Sequence, residues 1–138
     1  MKLWSLAVVP LLALSVAAYT RHAPPTTHRV RMVQQGTAYK FDPAALTIKV
    51  GDVVEFVNVS GGPHNVQFDP AHIPEGGQAF LMRAMTNRMS PTQMSSQMMQ
   101  RPNEVYRISF AGAPAGTYNF FCLPHQALGM KGTLTVTR

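Results

Sequence analysis

From residue 30 to residue 137 the chain repeats one device, a short run of alternating apolar and polar residues ended by glycine or proline. In residues 105–110, Tyr106, Ile108 and Phe110 alternate with Val105, Arg107 and Ser109. In residues 53–59, Val54, Phe56 and Asn58 fall on one side, and Val53, Glu55, Val57 and Val59 on the other. Alternation with period two marks a strand that buries one face. Further runs of β character cover residues 30–35, 46–50, 64–68, 117–122 and 132–137. Gly51-Asp52, Gly61-Gly62-Pro63 and the stretch from Gly112 to Gly116 supply the turns. Short strands separated in this way predict an antiparallel β-sandwich.

Residues 76–103 depart from the pattern. They hold Met82, Met85, Met89, Met94, Met98 and Met99 with little β-branched sequence. Met82, Met85 and Met89 recur at i, i+3 and i+7, the spacing of one face of a short helix. Ser90-Pro91-Thr92-Gln93 predicts a second helix, with Ser90 as N-cap, Pro91 at the first helical position and Gln93 completing a capping box. Pro102 would stop it.

The N-terminus reads as an export signal over residues 1–18, or as a retained anchor. Lys2 supplies the positive charge, residues 3–18 form a nearly unbroken apolar run, and Val16-Ala17-Ala18 or Ser15-Val16-Ala17 offers a cleavage site. Residues 19–28, with Pro24-Pro25, read as a flexible tether, and residues 29–138 as a single domain. A 46% hydrophobic fraction argues against disorder throughout. The formal net charge is +6, one unit of it from Lys2. Nucleic acid is a poor partner for an exported chain without interleaved aromatic and basic residues. An acidic protein partner suits the charge better.

Export makes Cys122 informative, because it is the only cysteine. It cannot form an internal disulfide, and a free thiol in an oxidising compartment must be buried or occupied. The segment from Cys122 to Met130 follows a strand and offers a thiolate, the His125 imidazole and a thioether within nine residues. A second imidazole, His64, stands in the Gly61-Gly62-Pro63-His64-Asn65 turn. Taken singly, each of these residues is more simply a packing or loop residue; together they form a pattern. Two histidines and a cysteine in a plane, with a weak axial methionine, are the donors of a blue copper centre. Zinc favours sites richer in cysteine or histidine, and a thioether is an unusual ligand for it.

Here the sequence resembles a known family. The stretch from Gly116 to Gly132, with Pro124 just before His125, resembles the ligand loop of the cupredoxins of plastocyanin type. Gly62-Pro63-His64-Asn65-Val66 with Phe68-Asp69 resembles their other ligand segment, and Ile73-Pro74-Glu75-Gly76 the loop after it. The resemblance covers roughly residues 39–137. It implies a Greek-key β-sandwich, here with a short helical methionine-rich insertion. It also implies one copper ion bonded to His64 Nδ1, Cys122 Sγ, His125 Nδ1 and, weakly, Met130 Sδ. By the same resemblance Asn65 ties the two ligand loops together. His125 is then the electron port, set in an apolar docking patch of Leu123, Pro124, Ala127 and Leu128.

The chain departs from the plant-type members where they place a tyrosine before the cysteine, among acidic patches. Here that residue is Phe121, and there is no acidic cluster. Arg83, Arg88 and Arg101 instead occupy a stretch free of acids between Glu75 and Glu104, which suits a partner with an acidic face.

The expectation is a type 1 copper protein, monomeric and not an enzyme, that shuttles single electrons outside the cytoplasm. The periplasm, the outer face of a membrane or the thylakoid lumen would suit it. Its partners would be redox proteins such as a c-type cytochrome or a membrane oxidoreductase. The rival reading is a copper carrier or storage protein whose methionine-rich segment binds Cu(I). That segment also reads as core packing or as an adaptable partner surface. His22, His28 and His72 read as solvated loop histidines.

Overall fold

A computed structural model describes residues 23–138. The export segment, His22 and residues 19–22 of the tether lie outside them. Eight strands form two four-stranded sheets: β1 (Thr27–Gln35), β2 (Ala38–Asp42), β3 (Ala45–Lys49), β4 (Val53–Asn58), β5 (Gln67–Phe68), β6 (Val105–Ser109), β7 (Gly116–Phe121) and β8 (Lys131–Thr137). The orders are β2-β1-β4-β6 and β3-β8-β7-β5.

The alternations become the core. Val54, Phe56, Tyr106, Ile108 and Phe110 are buried, as are Tyr118 and Phe120 from β7 and Leu134 and Val136 from β8. Phe120 sits at the centre of an aromatic cluster, with ring centroids 4.8 Å from Phe41, 5.4 Å from Phe56 and 5.9 Å from Phe68. Burying these rings between the sheets supplies the main drive to fold.

Several details differ from the sequence expectation. The sheets are mixed rather than antiparallel, because β1 pairs with β4 and β3 with β8 in parallel. The chain changes sheet at each connection from β2 to β7, so β1 and β4, like β3 and β8, are neighbours that are not consecutive and need not alternate in direction. Strand β2 was not expected; its signal is brief, with only Tyr39 and Phe41 turned inward between Lys40 and Asp42. The run at 64–68 yields only Gln67–Phe68 as strand, with His64 making one isolated bridge to Met99.

The tether is shorter than expected, since Thr27 and His28 already belong to β1. His28 is not a solvated loop residue: its Nε2 lies 2.9 Å from Asp52 Oδ2. His72 is exposed but pairs with Asp69 at 2.7 Å. The first helix, α1 (Gly77–Ala84), is present and includes Met82, while Met85 caps its end and Met89 lies beyond it. The second helix does not form. Ser90 Oγ instead accepts from the Thr92 N–H in a turn, and residues 94–99 pair with residues 64–68. Tertiary hydrogen bonds to a neighbouring segment overrule a local capping signal. Met85, Met94 and Met99 are buried in the core.

Asp52 closes the end of the sandwich at which β1 begins. Its carboxylate accepts from the Lys49 N–H at 3.0 Å and the Thr26 N–H at 2.9 Å. These two bonds, with His28, lower its pKa from 3.8 to about 2. A carboxylate held down in this way adds stability that is complete above about pH 4 and lost as pH falls towards 2. Asp52→Asn is expected to cost about 2 kcal/mol at neutral pH. It should also flatten the stability profile between about pH 4 and pH 2. Urea unfolding of both proteins at pH 7 and pH 3 measures this, and equal losses at both values would contradict it.

Candidate metal centre

Two segments bring the donors together at the opposite end of the sandwich. Strand β7 ends at Phe121 and delivers Cys122, which caps a 3-10 turn over Leu123–Leu128 with Pro124 in its first turn. That turn ends at Gly129 in the left-handed conformation, φ 83°. The chain then folds back: Met130 N–H donates to the His125 carbonyl at 3.2 Å, and Cys122 N–H to the Met130 carbonyl at 3.0 Å. Cys122, His125 and Met130 are thereby gathered into one closed loop. The second segment, just past β4, supplies His64.

Cys122 Sγ lies 3.6 Å from His64 Nδ1 and 3.5 Å from His125 Nδ1. The three donor atoms all lie within 4.8 Å of one another. Metal bonds of about 2.0 Å to nitrogen and about 2.3 Å to sulfur, opening at about 110°, would hold such donors about 3.5 Å apart. The residues fit a small transition-metal ion. His64 Nε2 lies 2.8 Å from the Ser60 carbonyl oxygen. A carbonyl can only accept, so Nε2 carries the proton and Nδ1 presents its lone pair to the centre.

His64, Cys122 and Met130 have no solvent exposure, whereas His125 keeps 9%. His125 is the one member of this group that reaches the surface. Burial lowers the pKa of His64, opposed by the Ser60 hydrogen bond. Burial and then the positive charge of His64 lower that of His125. Both imidazoles are therefore neutral and available as donors near neutral pH. Burial raises the Cys122 thiol, while the Asn65 and His125 backbone N–H groups pull it down.

Asn65 spans the two segments. Its Oδ1 accepts from the Leu123 N–H at 2.7 Å, and its Nδ2 donates to Ser95 Oγ at 3.0 Å. Leu123 and Leu128, at 42% and 60% exposure, stand with exposed Pro124 and Ala127 around His125. Arg88 faces inward, its guanidinium donating to the Met82, Met85 and Pro91 carbonyls, and Arg101 is paired with Glu104 at 2.8 Å. Arg83 stays exposed at the end of α1.

The sequence reading missed Tyr39. Its ring stacks face to face on His125, with centroids 3.8 Å apart and planes at 9°, and meets His64 edge-on at 6.3 Å. A side chain at Gly61 would come within 3.2 Å of Tyr39 Cε1 and 2.4 Å of Gln34 Cβ. Glycine there leaves room for the stack. The available signal was the Tyr39-Lys40-Phe41 alternation, but it could not say what the ring would touch.

Comparison with known proteins agrees with the geometry. Residues 28–137 match the family model described as copper binding proteins, plastocyanin/azurin family. The chain is 37% identical over 136 residues to plastocyanin of Nostoc punctiforme, covering 96% of this chain and 91% of the relative. It is 38% identical over 107 residues to plastocyanin of Scenedesmus fuscus, covering 78% and 96%. The fold superposes on oxidised plastocyanin from the fern Dryopteris crassirhizoma with a TM-score of 0.63 and 30% identity, over 80% of this chain and all of that one. A pseudoazurin from Methylobacterium extorquens shares the fold with a TM-score of 0.53 and 23% identity, over 80% of this chain and 74% of that one. The chain belongs to the plastocyanin/azurin family of copper-binding proteins.

Proposed function

We propose that His64, Cys122, His125 and Met130 hold the copper of this type 1 electron-transfer protein, and that electrons pass through His125. The observation that carries the assignment is the pair of imidazole Nδ1 atoms 3.5 and 3.6 Å from one buried thiol. Copper, when bound, takes up and returns one electron. Cys122 gives up its proton on binding, so copper affinity should weaken as pH falls. His64 is held by Ser60 and His125 by Tyr39, so the donors are set before the metal arrives and move little when its charge changes. The test is to add Cu(II) to the full chain. One equivalent should give an intense visible band that a reductant bleaches and an oxidant restores; a colourless complex would refute the assignment.

Tyr39 supports this centre by restraining the His125 ring. A stacked aromatic pair contributes about 0.5–1.5 kcal/mol, so Tyr39→Leu should speed copper loss by about 2- to 10-fold. Competition with a chelator measures the rate, and an unchanged rate would contradict it.

The exposed Leu123, Pro124, Ala127 and Leu128 make the apolar patch on which a redox protein docks beside His125. Net positive charge favours a partner with an acidic face, so the rate of electron exchange with it should fall as salt rises. A c-type cytochrome or a membrane oxidoreductase fits this description. The protein acts as a monomeric carrier and not as an enzyme. The apolar run at residues 3–18 supports export to the periplasm or a thylakoid lumen, cleaved or anchored. Among the described residues no helix is long and apolar enough to cross a membrane. Burial of Met85, Met94 and Met99 favours packing over a second, Cu(I)-binding role for the methionine-rich segment.

A further inference from the structure

Core packing accounts for the methionines at residues 94–99 but not for the serines between them. This segment lies along residues 64–68 as a strap. Phe68 N–H donates to the Met94 carbonyl at 2.9 Å, and Ser96 N–H to the Val66 carbonyl at 2.8 Å. His64 and Met99 exchange both backbone bonds, at 3.1 and 2.8 Å. Asn58 Nδ2 also donates to the Met99 carbonyl, at 2.9 Å.

The strap's two serines have no solvent exposure. Ser96 serves the backbone alone: its Oγ accepts from the Val66 N–H at 3.0 Å and donates to the Gln97 carbonyl at 2.9 Å. Ser95 reaches a side chain. Its Oγ donates to the Ser96 carbonyl at 3.3 Å and accepts from Asn65 Nδ2 at 3.0 Å. Asn65 Oδ1 in turn accepts from the Leu123 N–H at 2.7 Å. A chain of bonds therefore runs from the strap to the residue after Cys122.

The two ends of an amide have the same shape and opposite hydrogen-bonding character. With its proton committed to the Ser96 carbonyl, Ser95 Oγ can only accept, so it demands Nδ2. That choice leaves Oδ1 for the Leu123 N–H. The reversed amide would set donor against donor at Leu123 and leave the buried Asn65 amide unsatisfied at both ends. Buried polar chains of this kind are costly to leave half-satisfied.

We propose that Ser95 is a positioning residue of the copper centre, fixing the orientation of Asn65 and through it the spacing between the His64 and Cys122 loops. The methionine-rich segment thus acts on the metal site without contributing a ligand. The proposal rests on the assignment of His64 and Cys122 as ligands.

The test compares the unaltered full chain with Ser95→Ala, Asn65→Ala, the double variant and Ser96→Ala. Copper affinity by chelator competition and the visible spectrum are the readouts. Ser95→Ala should weaken copper binding about tenfold and shift the band. On the Asn65→Ala background it should add less than about twofold. Ser96→Ala should lower thermal stability yet leave affinity within about twofold. Unchanged affinity in Ser95→Ala, equal losses on both backgrounds, or an equal loss from Ser96→Ala would each overturn the proposal. If Ser95→Ala does not fold, the unaltered Cu(I) protein supplies the answer. The Asn65 side-chain protons should exchange at least about tenfold more slowly than those of exposed Gln97, and unprotected protons would overturn it. Unaltered protein that binds copper without an intense visible band refutes the ligand assignment instead, so the two failures are distinguishable.

Discussion

Cys122→Ser should abolish the visible band and weaken copper binding by more than about 100-fold, beyond what loss of an outer contact costs. The chain has no other thiol to take its place. A serine hydroxyl occupies the same position but stays protonated at neutral pH, so the ion would lose its one anionic donor. It would keep two neutral imidazoles and a thioether, a set that binds copper more weakly than one with a thiolate. The copper-free fold should suffer far less, because the substitution keeps shape and the site is already lined by polar atoms. Visible absorption after Cu(II) addition, together with far-ultraviolet circular dichroism of the copper-free proteins, separates the two effects. A variant that keeps the intense band would remove Cys122 from the centre.

Phe120→Ala should cost about 3–5 kcal/mol, the largest stability loss expected from one truncation in this core. Phe120 is 2% exposed and touches rings contributed by both sheets, Phe41 and Phe56 from one and Phe68 from the other. It also lies across Gly132, its cross-strand neighbour on β8, where an added Cβ would sit 2.4 Å from Phe120 Cζ. The facing position on β8, Gly132, has no side chain with which to fill the space. Phe120 is two residues before Cys122, near the end of the strand that delivers it, so loosening it should also weaken copper retention. Urea denaturation gives the stability, and a loss below about 1.5 kcal/mol would mean that the sandwich collapses around the gap.

How much was legible in advance differs from element to element. The Cys122 to Met130 loop could be read because its three donors are close in sequence and follow a strand, so local geometry brings them together. His64 could be read from its Gly-Pro turn, although only the fold shows it 3.6 Å from the thiol. The strands at residues 53–58 and 105–109 were legible because alternation reports burial directly. The second helix was misread: Ser90 to Gln93 has the letters of a capping box, but Ser90 closes a turn with Thr92, and the residues after it bond to the His64 segment. Parallel pairing of β1 with β4 was invisible, since direction within a sheet depends on where the chain crosses between sheets.

The short alternating runs were enough to make this chain a β-sandwich, and its thiol, imidazole and thioether side chains enough to mark which residues could bind a metal. Periodicity and donor chemistry are local properties that survive in a string of letters. Tertiary structure alone decided that Tyr39 stacks on His125, that Ser95 orients Asn65, and that the methionine-rich segment is a strap. Each of these joins residues distant along the chain, and its energy exists only after both sheets have closed on the common core.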